Sequence, residues 1–409
     1  MRSDSDRLRF EIQARDGDAR TGLLRLGHAT VATPAFVPLA TTGSVRGLSS
    51  AEVAGLGYGM VLGNTFHLHL SPGEDAIAAR GGLRRFMGWD RAIITDSGGF
   101  QVFSLAHGGV ADEIKGRRGS VAGGAKVEIS EEGVAFQSLL DGSDRFLGPE
   151  ESMWIQAALG SDIALSFDEC TPAHADRDYT ARSTERTHRW LDRCLAWHER
   201  EGPAEQAVFG IVQGGVHEDL RRESVERNAS AAIDGIAIGG TLGRDKAEMH
   251  GVLGFTLPFL PVDAPRHLLG IGEVDDLLVG IGMGIDLFDC AIPTRLARHG
   301  TALAPDPDGR FRIDLTKSAY TEDDRPVVEG CTCEACTRHT RAYLRYLARG
   351  KDLTGTRLLT LHNLTYMERL AAGARRAIEV GSYGEYADAV MRGIAPWEAA
   401  GQGSSHSGR

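Results

Sequence analysis

Phe288-Asp289-Cys290-Ala291-Ile292-Pro293 closes an apolar run, Gly284 to Phe288, with a single carboxylate. A carboxylate at the end of a buried strand is partly desolvated, which suits it to act as a nucleophile, a base or a helix cap. The same event occurs where Ala92–Thr95 meets Asp96-Ser97-Gly98-Gly99-Phe100-Gln101 and where Ile163–Phe167 meets Asp168-Glu169-Cys170. Val208–Val212 ends at Gln213-Gly214-Gly215, Ile236–Ile238 at Gly239-Gly240, and His267–Leu269 at Gly270-Ile271-Gly272-Glu273. Carboxylates, an amide and bare backbone at successive strand ends can supply acid, base and base-reading groups to one site, if the fold gathers them.

A second constellation is Cys331-Thr332-Cys333-Glu334-Ala335-Cys336. Three thiols so closely spaced can wrap one borderline-soft ion, and His362 can return to them as a fourth ligand after a helix over 340–348. Cys₃His predicts a closed, structural zinc site, one per subunit. His339 is the rival fourth ligand by proximity, and the bland alternative is a chance thiol cluster with His362 as the cap of a helix that it begins.

The elements that must position these residues are eight short apolar runs, the first two being Ala35–Pro38 and Met60–Gly63. Helical stretches such as Ser152–Leu159 and Thr180–Glu199 lie between them, the latter with Trp190, Leu191, Cys194 and Trp197 at helical spacing. Alternating strands and helices imply a parallel sheet, and eight of them with polar or glycine ends imply a (β/α)₈ TIM barrel whose mouth gathers Asp96, Asp168, Gln213, Gly240 and Asp289. An open doubly wound sheet competes but leaves the repeated polar ends unexplained. The expected organisation is a barrel over 1–300 with an inserted loop at about 106–126, a C-terminal zinc-binding subdomain with closing helices over 301–398, and a disordered tail over 399–409. Lys115, Arg117, Arg118 and Lys126 make the inserted loop either a solvated segment or a phosphate contact.

The 409 residues are 25% charged and 42% hydrophobic, ordinary for a globular chain. No stretch is long and apolar enough for a membrane span, and residues 1–7 lack the core of a signal peptide, so the expected compartment is the cytoplasm. A net charge of −11 argues against indiscriminate nucleic-acid binding while leaving room for a local basic surface.

Taken together and in order, Asp96-Ser97-Gly98-Gly99-Phe100-Gln101-Val102, Phe167-Asp168-Glu169-Cys170, Phe209–Gly214, Phe288-Asp289-Cys290 with Pro293-Thr294-Arg295, and the three cysteines followed by His362-Asn363 resemble bacterial tRNA-guanine transglycosylase, from about residue 8 to about 398. The resemblance implies exchange of guanine at anticodon position 34 of GUN-anticodon tRNAs (Asp, Asn, His, Tyr) for a 7-deazaguanine, on the route to queuosine. It implies double displacement with Asp289 as nucleophile and Asp96 as general acid/base, much as in a retaining glycosidase. Substrate binding falls to Asp96, Ser97, Gly98, Gly99, Phe100, Asp168, Cys170, Gln213 and Gly240, with Phe100 offering a stacking face. RNA contacts fall to Gly270, Ile271, Gly272, Glu273, Val274, Asp275 and Asp276, and to Thr294, Arg295, Leu296, Ala297 and Arg298. Without the resemblance these arginines read as solvent-exposed helix residues. A homodimer engaging one tRNA is also implied.

Two positions depart from the family's pattern. Leu296 stands where asparagine is usual. In Gly239-Gly240-Thr241-Leu242-Gly243-Arg244-Asp245, Gly243 replaces a valine facing the deazaguanine substituent, or Arg244 replaces a glutamate if the loop is one residue shorter. The expected base is preQ1, with queuine as the alternative if Gly243 opens the pocket. Other readings are a non-catalytic tRNA-binding subunit, which Asp289 and Asp96 argue against, an archaeosine-type enzyme, for which the sequence after His362 leaves no space for an added domain, and a barrel glycosidase or nucleosidase using water as acceptor.

Overall fold

The eight apolar runs form eight parallel strands: β1 (Ala35–Ala40), β2 (Met60–Gly63), β3 (Ala92–Thr95), β4 (Ile163–Leu165), β5 (Ala207–Val212), β6 (Gly235–Ile238), β7 (Arg266–Leu268) and β8 (Leu287–Cys290). This computed structural model describes residues 7–106, 127–138, 140–171, 175–240 and 243–402. Neighbouring strands pair in sequence order, and β8 pairs with β1 through Phe288↔Phe36 and Asp289↔Val37, closing the barrel. An open sheet would leave two edges; closure leaves none.

Strand alternation divides the side chains between two cores. Val37, Leu62, Ile94, Leu165, Phe209, Ala237 and Leu287 fill the barrel interior as one buried cluster. The intervening Phe36, Val61, Ile93, Ala164, Val208, Ile236 and Phe288 face the surrounding helices in another. Continuing the inward parity past the apolar layer reaches Asn64 after β2, Asp96 after β3, Gln213 after β5 and Asp289 at the end of β8. These four polar residues at the mouth are therefore the next inward step of their strands, whereas Asp168 and Gly240 lie off that parity, in the loops after β4 and β6.

An antiparallel sheet of Leu8–Asp16, Ala19–Leu26 and Thr30–Thr33, not anticipated from the sequence, stoppers the other end. Its Leu8, Leu24, Leu26 and Val31 belong to the same cluster as the barrel interior. Arg20, fully buried, donates to both carboxylate oxygens of Asp286 at 2.9 and 2.5 Å and to the carbonyls of Val262 and Ala264. Asp286 also accepts from the Arg266 amide at 2.7 Å, so the charges are paired and hydrogen-bonded as burial requires.

The insertion expected after β3 lies, over 107–126, outside the described residues; a small sheet of Val127–Ile129, Val134–Gln137 and Asp144–Leu147 follows it. After β8 come a helix, Ile292–Arg298, a two-stranded sheet of Thr301–Leu303 and Arg312–Asp314, and the cysteine segment. The long helix Leu353–Glu379 then packs against β1 and Ile292–Arg298. It begins at Asp352, whose side chain accepts from the Thr354 amide, so His362 lies mid-helix rather than at a helix start. The last helix, Pro396–Gln402, runs past the tail boundary expected at 399, while 403–409 lie outside the described residues. No helix among the described residues is long and apolar enough to cross a membrane.

Candidate active site and metal centre

Asp96 sits half-buried at the mouth. Its Oδ1 accepts from the Thr65 amide at 2.8 Å, and its Oδ2 from Asn64 at 2.5 Å and Gln101 at 3.3 Å. Burial, opposed by these donors and reinforced by the charge of Asp289, pushes its pKa up to about 7. A carboxyl poised there can both give and take a proton near neutrality. Neither Asn64 nor Gln101 is marked by the sequence as a partner of Asp96; the inward parity of Asn64 is the signal that could have singled it out.

Asp289 is buried at the end of β8. Its Oδ1 accepts from His267 Nε2 at 2.9 Å and from the Gly270 amide at 3.2 Å. Among the described residues no donor reaches Oδ2.

Asp168 lies across the mouth, accepting from Ser97 Oγ at 3.0 Å on Oδ1 and from Gln213 Nε2 at 2.6 Å on Oδ2. Burial, only partly offset by these two donors, pushes its pKa up to about 6. The surrounding glycines are required by contact. A Cβ at Gly99 would meet the Asp168 carbonyl at 2.7 Å, and one at Gly240 would meet Gln213 Oε1 at 2.2 Å. Arg221, buried and unforeseen, ties the β5 and β6 ends together by donating to the Gly215, Val212 and Gly239 carbonyls at 2.8, 3.1 and 2.9 Å. Cys170 is buried in the same wall, its thiol pushed up to about 12 by burial. Phe100 is half-buried at the start of Gly99–Ala106.

The two segments expected at the RNA divide by burial. Gly270 is exposed and Gly272 must be glycine, since a Cβ there would lie 2.3 Å from that of Cys290. Val274 and Asp276 are buried in Val274–Gly282. Glu273, Asp275 and Asp276 bind Lys246 at 2.9, 2.6 and 3.0 Å, and Glu273 also binds Arg310 and Arg312. These carboxylates brace the β6 loop against the β7 loop. In the other segment Thr294 and Ala297 are buried and Leu296 packs on the core, leaving Arg295 and Arg298 to face outward. Arg46, which sequence reasoning missed, stands near them. Desolvation, and after it the charges of Arg46 and Arg295, lower the pKa of Arg298. None of the three has an ion-pair partner among the described residues. Of the Thr241–Asp245 departure, Thr241 and Leu242 lie outside the described residues. The space beside Gly243 is filled by Glu248, whose Cγ lies 2.7 Å from where a Cβ would stand.

Away from the mouth, Cys331, Cys333, Cys336 and His362 bring their ligand atoms within 4.8 Å of one another. The three sulfurs lie 3.8, 3.6 and 3.3 Å from His362 Nδ1, close to the tetrahedron edge of about 3.5 Å that zinc–sulfur and zinc–nitrogen bonds generate. His362 Nε2 is 2.8 Å from the Leu303 carbonyl, which fixes the tautomer with Nδ1 bare toward the sulfurs. Four protein donors fit one structural zinc with no open position. His339 instead stacks on Tyr343, 4.9 Å between ring centres.

A family profile described as Queuine tRNA-ribosyltransferase matches residues 16–396. A queuine tRNA-ribosyltransferase of Roseiflexus sp. (strain RS-1) is 47% identical over 389 residues, covering 92% of this chain and 97% of its own. Relatives of the same name from Stenotrophomonas maltophilia (strain K279a) and Symbiobacterium thermophilum are 47% and 43% identical, over 92% and 94% of this chain and 95% and 91% of their own.

Proposed function

Because the chain belongs to the queuine tRNA-ribosyltransferase family, we propose that it exchanges guanine at position 34 of GUN-anticodon tRNAs for a 7-deazaguanine by double displacement at the ribose C1′. The observation that carries the reading is the pair of mouth carboxylates with opposite preparation. Asp289 has one oxygen held by two donors and one that no donor reaches among the described residues, and Asp96 is poised near neutrality with Asp289's charge acting on it.

In the first displacement an Asp289 oxygen bonds to C1′ as the C1′–N9 bond breaks. Guanine leaves with the bonding pair and receives a proton from the Asp96 carboxyl. In the second, N9–H of the incoming base gives its proton to the Asp96 carboxylate, N9 bonds to C1′, and Asp289 departs as a carboxylate. The Asp168 carboxylate reads the amino and ring N–H groups of the base. Gln213 keeps a second N–H for the base carbonyl beside the Gly240 amide, and Phe100 offers a face for stacking. The anticodon base must be splayed out of its loop to enter. Arg295 and Arg298 hold the flanking phosphates.

Glu248 occupying the space beside Gly243 supports preQ1 over the bulkier queuine. Cys331, Cys333, Cys336 and His362 would hold a zinc ion that ties the C-terminal subdomain together, away from the mouth. We place the enzyme in the cytoplasm as a homodimer, with exposed Tyr343, Tyr346 and Leu353 beside the zinc module supporting that face as the contact. Incorporation of labelled guanine into unmodified tRNA with a GUC anticodon, competed separately by preQ1 and queuine, tests the reading. Incorporation with preQ1 the stronger competitor is expected; release of free guanine without incorporation would make water the acceptor and overturn it.

A further inference from the structure

His267 is the only ionisable side chain at an inward-facing strand position below the mouth among the described residues. Its strand neighbours in register are Ala237 on β6 and Leu287 on β8, both in the apolar interior cluster. The imidazole is fully buried, and a polar group in such a layer is retained only if a hydrogen bond repays its desolvation. That bond runs to Asp289 Oδ1 at 2.9 Å, while Nδ1 has no partner among the described residues. The neutral tautomer with its proton on Nε2 satisfies this geometry, because it leaves an acceptor and not an N–H stranded in the core.

We propose that His267 is a positioning residue which, with the Gly270 amide, fastens Oδ1 of Asp289 and leaves Oδ2 as the atom that attacks C1′. The proposal rests on Asp289 being the nucleophile. Two donors on one oxygen fix the carboxylate plane from below and from the β7 loop, and the oxygen without a donor is the one free to form the Oδ2–C1′ bond. When that bond breaks in the second displacement, the pair returning to the carboxylate is stabilised by the donors already in place on Oδ1, with no reorganisation.

The test compares His267→Gln, whose amide nitrogen can occupy the Nε2 position, with His267→Asn, whose amide is too short to reach it. The readouts are the single-turnover rate of denaturant-resistant enzyme–tRNA capture, and kcat and KM for tRNA. His267→Asn should slow capture and kcat by about tenfold or more with KM for tRNA unchanged, and His267→Gln should recover to within a few-fold of the parent. Capture by His267→Asn at the parental rate, or equal slowing in both variants, overturns the proposal, the latter by making the residue a packing group. Should His267→Asn fail to fold, His267→Met fills the volume without a donor and carries the same comparison. Asp289→Ala run in parallel should abolish capture; capture surviving there removes the nucleophile assignment itself, an outcome distinct from either result at His267.

Discussion

At the scale of single residues, the site works by giving similar carboxylates different surroundings. Asp289 has one oxygen that no donor reaches among the described residues, Asp168 is clamped between a hydroxyl and an amide, and the pKa of Asp96 is pushed up to about 7, as the proposed roles require. Asp96→Asn should lower exchange by roughly 10²- to 10⁴-fold, as loss of a general acid/base does, with tRNA binding retained. Its effect on stability has a definite sign. The carboxyl ordinarily titrates at 3.8 and in the folded protein near 7, so the folded state holds the extra proton between those values. The stability this contributes is complete below about pH 4 and lost as pH rises through 7. Asp96→Asn cannot ionise, so its melting temperature should gain on the parent's from pH 5 to pH 8; a pH-independent gap would contradict the shift.

At the scale of elements, two clips hold the scaffold that carries these residues. At the closed end, Arg20 and Asp286 join the N-terminal sheet to the strand that bears Asp289. Arg20→Ala strands a buried carboxylate and should cost about 3–5 kcal/mol in denaturant unfolding. Loss of less than 1 kcal/mol would mean that water reaches Asp286. At the other clip, the cysteine segment is fastened to the middle of Leu353–Glu379, and the next residue, Asn363, donates to the Pro293 carbonyl of the helix after β8. Cys333→Ala should lose zinc by elemental analysis and loosen the C-terminal subdomain, read as faster amide exchange over 301–349; unchanged zinc content would sink the ligand assignment.

At the scale of the whole molecule, the proposed function requires a chain of net charge −11 to bind a polyanion, which local cations can do. Arg46 in the β1 loop joins Arg295 and Arg298 at the mouth. Replacing any one by alanine should raise KM for tRNA and reduce the slope of binding against salt by about 1, with kcat for bound tRNA little changed. An unchanged slope would place that arginine off the RNA. The eight strands, the polar residues at their ends and the zinc ligands were legible because local chemistry declares them: apolar runs of strand length that stop at polar residues, and thiols too closely spaced for chance. The N-terminal stopper was not, since Leu8–Asp16 and Thr30–Thr33 alternate like surface strands and only the barrel end they cover explains their buried residues. Nor were His267, Arg46 and Arg221, single residues of common type whose meaning depends on what faces them. The same holds for Gly243, which by sequence leaves room for a bulkier base only as the alternative and in the fold is packed against Glu248. Sequence by itself determined which groups exist and which strand end each occupies. Only tertiary structure decided which oxygen of Asp289 is held, which carboxylates of 273–276 are neutralised by Lys246 and the Arg310–Arg312 pair, and that Arg46, Arg295 and Arg298 have no ion-pair partner among the described residues, because hydrogen bonding and desolvation are set by neighbours distant in the chain.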